Sequence, residues 1–234
     1  MGSRPPLIPR FCRCSRAAAW LGAAALSAVT PAVAQQADPV AAPKYEQNPS
    51  VAEQPDPGSR AEGVIWTVPV AHTATLFLGM RLTEAGLWPD PFAETRPRVW
   101  LDHYQQAFTR PPLFDRRERA FEWDGDHWTL NVVGHGLLGS ELYYRPRRCG
   151  ASPLASFAFA AGASAVWEYG FEANGVRPSA LDLVYTPLAG WVFGEARWLG
   201  WQGAGGIGDP TLRSVVRAVL DPFGELERAI GAPC

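Results

Sequence analysis

Residues 123–195 are apolar and small, interrupted by single polar residues at helical spacing, and this pattern constrains the fold more than any other feature. His135 lies four after Asn131, Glu172 four after Glu168, and Thr186 four after Asp182. Four residues return an α-helix to nearly the same face. Each segment is therefore expected to carry one polar stripe on an otherwise apolar rod. No sustained period-two alternation occurs, so nothing reads as a half-buried strand. The predicted fold is all-α, a compact bundle of about five helices. Carboxylates and imidazoles are costly to bury without partners. If the stripes face a common interior, a hydrogen-bond network, a metal or a substrate holds them there, and the sequence leaves these three open.

The N-terminus reads as an address rather than as fold. Arg4, Arg10, Arg13 and Arg16 precede an apolar run over 17–29, and Ala32-Val33-Ala34 supplies a small-x-small cleavage pattern before Gln35. The run is too short for a permanent anchor. The expectation is a signal peptide over 1–34, a Gln-, Pro- and Ala-rich disordered tether over 35–63, and one helical domain over 64–234. That places the mature protein in the periplasm. The chain has 21 Lys+Arg against 23 Asp+Glu, a net charge of −2, which becomes −6 once the four leader arginines are removed. An acidic chain gives no reason to expect a nucleic-acid partner. After cleavage two cysteines remain, Cys149 and Cys234. In an oxidising compartment they can pair, or they can stay as two free thiols.

Punctuation sets the predicted helices. They cover 70–85, a short stretch near 99–108, and 127–144 with Asp126 as N-cap and Pro146 as stop. A small-residue helix covers 154–173. The next opens at Pro178-Ser179, where Ser179 and Asp182 have capping-box spacing, and is kinked by Pro187. A last helix runs from Asp209-Pro210 to Leu220, with Asp221-Pro222 as its stop. The Gly-rich run 200–208 follows no parallel strand and reads as a connector, not a dinucleotide loop.

Four residues form the candidate cluster: His135, Glu168, Asp182 and Asn131. His135 suits a ligand or general base with Asn131 fixing its tautomer. It equally suits a core histidine bonding across helices, with Gly139 admitting a close neighbour. Glu168 and Glu172, four apart among aromatics, repel unless one is protonated or a cation lies between them. In the cation case His135, Glu168 and Glu172 are the expected metal ligands. The plainer expectation puts Glu172 in solvent and pairs Glu168 with Arg145, Arg148 or Arg197. Asp182 can serve as the capping carboxylate of its own helix, and Glu195 is expected to pair with an arginine. No zinc-protease, Gly-x-Ser-x-Gly or Walker-type phosphate motif is present, so no cofactor is assigned.

Taken in order, these residues carry a resemblance. Trp123-Asp124-x-Asp126, Asn131-x-x-x-His135-x-x-x-Gly139 and Tyr143-Tyr144 are followed by Ser164-x-x-Trp167-Glu168-Tyr169-x-x-Glu172. Pro178-Ser179-x-x-Asp182, Thr186, Gly190, Gly194-Glu195-x-Arg197 and Asp221-Pro222-x-Gly224 complete the set. The set, over residues 64–230, resembles a bacterial envelope family known as domain of unknown function 3943. Departures are Gly136, where proline commonly follows the histidine, and Arg145-Pro146-Arg147 after the paired tyrosines. The resemblance implies a signal-bearing helical envelope protein and no particular activity. The leading expectation is a non-catalytic, membrane-associated scaffold or binding module whose polar cluster specifies helix register, with the membrane or an envelope protein as partner. The alternative is a membrane-proximal, metal-assisted hydrolase acting on a lipid or cell-wall substrate. There His135 and Glu168 would be ligands or acid/base groups, oriented by Asn131 or Asp182.

Overall fold

The structure is a computed structural model that describes residues 63–231 and Cys234; the expected signal peptide and nearly all of the tether lie outside the described residues. Eight helices follow in order: α1 (Thr67–Leu87), α2 (Pro97–Thr109), α3 (His135–Arg148), α4 (Pro153–Val166), α5 (Ala180–Ala189), α6 (Glu195–Gly203), α7 (Pro210–Leu220) and α8 (Pro222–Ala229). A single turn, Pro89–Phe92, joins α1 to α2. Among the described residues there is no strand, only an isolated parallel bridge between Leu113 and Ser179. The all-α reading holds.

Three helices carry a π-helical turn, with i→i+5 bonding in place of i→i+4. Thr129–Gly134 leads into α3, Trp167–Glu172 continues α4, and Gly190–Gly194 joins α5 to α6. Asp126, expected as an N-cap, does not serve as one, since Trp128 stands at that position with no side-chain cap, but other caps form. Ser152 accepts from Ala155 N, Ser179 from Asp182 N and Asp209 from Leu212 N.

Two proline expectations need correction. Pro146 does not end its helix, because α3 runs on to Arg148 with Pro146 inside it. The loss of one N–H bond is tolerated, and the Pro146 carbonyl still accepts from Ala151 N at 2.9 Å. Asp221-Pro222 stops α7 but also starts α8. Asp221 Oδ1 accepts from Gly224 N at 2.9 Å, and Pro222 fills a first-turn position that needs no donor. This junction is one reason the helices exceed about five.

Helix α3 is the centre, contacting α4, α5, α6 and the π turn Gly190–Gly194. Glycine sets how closely these rods approach. A Cβ at Gly190 would lie 2.5 Å from Gly139 O and 2.8 Å from Gly139 C, so the backbones touch directly there. A Cβ at Gly194 would meet the Tyr143 ring at 2.8 Å and Ser140 O at 3.0 Å. On the opposite side, Phe77, Leu138, Leu142, Tyr143, Ala160, Ala163 and Trp167 form the apolar core. The Phe77 and Trp167 rings lie 5.2 Å apart there.

Beside this apolar core the interior also holds charge, and large apolar side chains face outward. Glu141, Arg145, Glu168, Asp182, Asp221 and Glu227 are buried, whereas Leu137 is 69 % and Leu154 77 % exposed. Trp128, Leu130, Val133 and Leu137 line the outside of the α3 rod; Val184, Leu188, Trp191 and Val192 line the outside of the α5 rod. Among the described residues, no helix is long and apolar enough to cross a membrane. Cys149 and Cys234 are joined in a disulfide with their Cα atoms 4.6 Å apart, which ties the chain end to the end of α3.

Candidate functional site

The polar stripes of α3, α4 and α5 converge. His135 Nδ1 lies 2.9 Å from Thr186 Oγ1, and His135 Nε2 lies 3.5 Å from Asp182 Oδ2. Asp182 and Thr186, four apart on α5, thus flank one imidazole, as helical spacing requires. Glu168 Oε2 accepts from Ser179 N at 2.7 Å. One donor atom from each of His135, Glu168 and Asp182 lies within 4.8 Å of the other two. All three residues are buried, with Glu168 at 0 %, Asp182 at 3 % and His135 at 8 % exposure. Glu168 Oε1 and Asp182 Oδ1 have no hydrogen-bond partner.

The 110–128 segment covers this centre. Leu113 exchanges backbone bonds with Pro178 and Ala180 at the start of α5. Asp124 Oδ2 accepts from Ser179 Oγ at 2.6 Å, and Asp124 Oδ1 accepts from Asn131 Nδ2 at 2.7 Å. Asn131 Nδ2 also donates to Phe121 O. Asn131 therefore belongs to the same network through Asp124, one shell out, and does not fix the His135 tautomer. Thr186 contacts His135 Nδ1 instead.

The reason lies in helix type. Residues four apart share a face on an α-helix, but in a π turn the return comes near five. Both Asn131 and the Glu168/Glu172 pair lie in π turns, so their stripes split. Of the residues expected as ligands, His135 and Glu168 come together, and Asp182 rather than Glu172 completes the group. Glu172 is half-buried, not solvated. Burial, followed by the Glu168 charge, raises its carboxyl well above the ordinary range.

The capping box on α5 is half-made, and that frees Asp182. Ser179 Oγ accepts from Asp182 N at 3.1 Å. The reciprocal bond, from Ser179 N to the Asp182 carboxylate, is replaced by Glu168 of the neighbouring helix. Asp182 then turns to His135. None of the expected arginines pairs with Glu168. Burial first of all, with neighbouring carboxylates adding to it, pushes Asp182 up to about 9 and Glu168 up to about 8. The bond from Ser179 N only partly offsets this for Glu168. Burial lowers His135 to about 4, so its imidazole is neutral.

A second polar centre, not foreseen, takes those arginines. Arg145 binds Glu141 at 2.8 Å, Asp221 at 2.9 Å and Glu227 at 2.8 Å, all within the interior. Arg197 reaches Glu141 at 2.6 Å, and Arg148 reaches Asp221 at 3.3 Å. His72 bridges Glu141 at 3.1 Å and Glu227 at 3.0 Å. Its one sequence signal was the i,i+4 pair Glu141/Arg145; the other partners come from 76 and 82 residues away. Glu195 pairs with Arg147 at 2.8 Å, as an arginine partner was expected.

Residues 120–223, which hold all four clustered residues, match the family model described as Domain of unknown function (DUF3943). No curated protein and no solved structure matches the chain.

Proposed function

We propose that this domain is an exported, periplasmic, membrane-associated scaffold or binding module whose polar centres fix the register of its helices. The observation that carries the reading is the pair of outward Leu, Val and Trp stripes on the α3 and α5 rods, while charged side chains are buried inside. In water such stripes are costly at about 25 cal/mol per Å² of apolar surface. Against the apolar boundary of a bilayer that cost disappears, and exposed tryptophans such as Trp128 and Trp191 suit its interface. Small residues at the α3/α5 crossing, where rods pack backbone to backbone, fit the same setting.

The sealed character of the cluster favours a structural over a hydrolytic role. Glu168 and Thr186 are fully buried, and the two clefts described are lined by other residues: Pro89 to Arg96 in one, an apolar groove including Phe77 and Phe159 in the other. A hydrolase would need a path for substrate to reach His135. Flotation of the purified protein with phospholipid vesicles tests the membrane reading. The wild-type chain should float with the lipid, and the double variant Leu137→Glu/Leu188→Glu should lose at least about half of that binding. A chain that stays monomeric in the aqueous fraction with either lipid charge sinks the proposal.

A further inference from the structure

We propose that His135, Glu168 and Asp182 hold a divalent transition-metal ion, of the zinc or manganese kind, in the interior where α3, α4 and α5 meet. Three features of the geometry argue for it. First, the three donor atoms already lie within 4.8 Å of one another, inside the protein, from three different helices. Two ligands bonding one zinc at ~2.0–2.2 Å sit roughly 3.3–3.5 Å apart at the tetrahedral angle. His135 Nε2 and Asp182 Oδ2 have that spacing, at 3.5 Å.

Second, each carboxylate keeps an oxygen with nothing to bond. Glu168 Oε1 and Asp182 Oδ1 are buried and unpartnered, on side chains 0 % and 3 % exposed. A buried acceptor left unmade costs roughly 1–3 kcal/mol, more for a charged group. Two such atoms beside one imidazole point to a ligand that accepts lone pairs.

Third, the ligands are held from behind in the manner of metal sites. The other imidazole nitrogen, Nδ1, meets the Thr186 hydroxyl, and the other Glu168 oxygen, Oε2, takes the Ser179 N–H. Asp124 in turn accepts from Ser179 Oγ. Outer partners of this kind fix ligand orientation and leave the inner atoms free to coordinate. Deprotonated, as coordination requires, the two carboxylates match the charge of a divalent ion, and the nitrogen donor selects the transition series over magnesium or calcium. Water completes the coordination.

This inference is independent of the membrane proposal, and either can fail alone. The chain is stripped with chelator, shown folded by circular dichroism, and titrated with zinc chloride. Bound metal is counted after dialysis and Tm is recorded. The expected result is about one zinc per chain with a raised Tm, and no Tm rise with magnesium at the same concentration. Glu168→Gln and Asp182→Asn, which keep size and hydrogen bonding, should each weaken zinc binding by at least about 100-fold. No retained zinc and an unchanged Tm overturns the proposal, as does wild-type zinc affinity in either folded variant. Should both variants fail to fold, X-ray absorption of the wild-type zinc form decides. One imidazole with oxygen ligands supports the site; a sulfur ligand or two imidazoles overturns it.

Discussion

Substituting Gly190 with alanine tests the close crossing on which the site depends. The new Cβ would sit 2.5 Å from Gly139 O, 2.8 Å from its carbonyl carbon and 3.3 Å from its Cα. Ordinary contact begins at 3.4 Å, so the shortfall is about 0.9 Å. All three obstacles are helix backbone, which has no rotamer to change. The rods must therefore separate by nearly that distance. A gap of 0.5–1 Å forfeits roughly a quarter to a half of each dispersion contact across the seam. Overpacking costs about 1–3 kcal/mol where side chains can adjust, and a clash between two backbones belongs at the top of that range or above it. The better helix propensity of alanine returns at most about 1 kcal/mol. The net expectation is a loss of about 2–4 kcal/mol, read as a lower urea midpoint with an unchanged slope. The same substitution at Gly79, where a Cβ meets nothing within 4 Å, should stabilise by about 0.5–1 kcal/mol. A Gly190→Ala protein as stable as wild type would refute the backbone-to-backbone packing, and with it the approach of α5 to His135.

Two further outcomes concern the arginine centre. Replacing Arg145 with methionine leaves Glu141, Asp221 and Glu227 without their shared cation. Removing one partner of a buried pair costs about 3–5 kcal/mol, measurable by denaturant titration; a loss below about 1 kcal/mol would contradict the network. The acid limb of stability follows from Glu141. Burial pushes its carboxyl up, but the His72 bond and the Arg197 and Arg145 guanidiniums outweigh burial and hold it at about 2. A group depressed on folding contributes stability that is complete above its unfolded value near 4.5 and is lost as the pH falls toward 2. Melting temperature should drop across that window, with a loss on the order of 2–3 kcal/mol, and Glu141→Gln should flatten the drop. A flat acid limb in the wild type would rule out a buried, ion-paired Glu141.

The fold class was legible because local rules suffice for it. Helical spacing, the absence of alternation and caps such as Ser179 and Asp209 act within a few residues, and the helices start where those caps stand. Pro146 and Asp221-Pro222 misled because a proline's cost is local while its compensation comes from neighbouring carbonyls and caps. The composition of the site was only partly legible. His135, Glu168 and Asp182 stand out by residue type, and Thr186 by its distance from Asp182. That Glu172 would leave the face of Glu168 was beyond reach, because a change from α- to π-type turning rotates a side chain off its face without a residue that announces it.

The sequence by itself determined rods, their ends and their polar members, since these follow from contacts three to five residues long. Tertiary structure alone decided the partners. Glu168 took the Ser179 N–H that Asp182 was placed to receive, Asp221 and Glu227 came across the chain to Arg145, and Cys234 closed on Cys149. Each of these pairings joins separate elements, brought together by the packing of the rods, and no spacing along the chain encodes it.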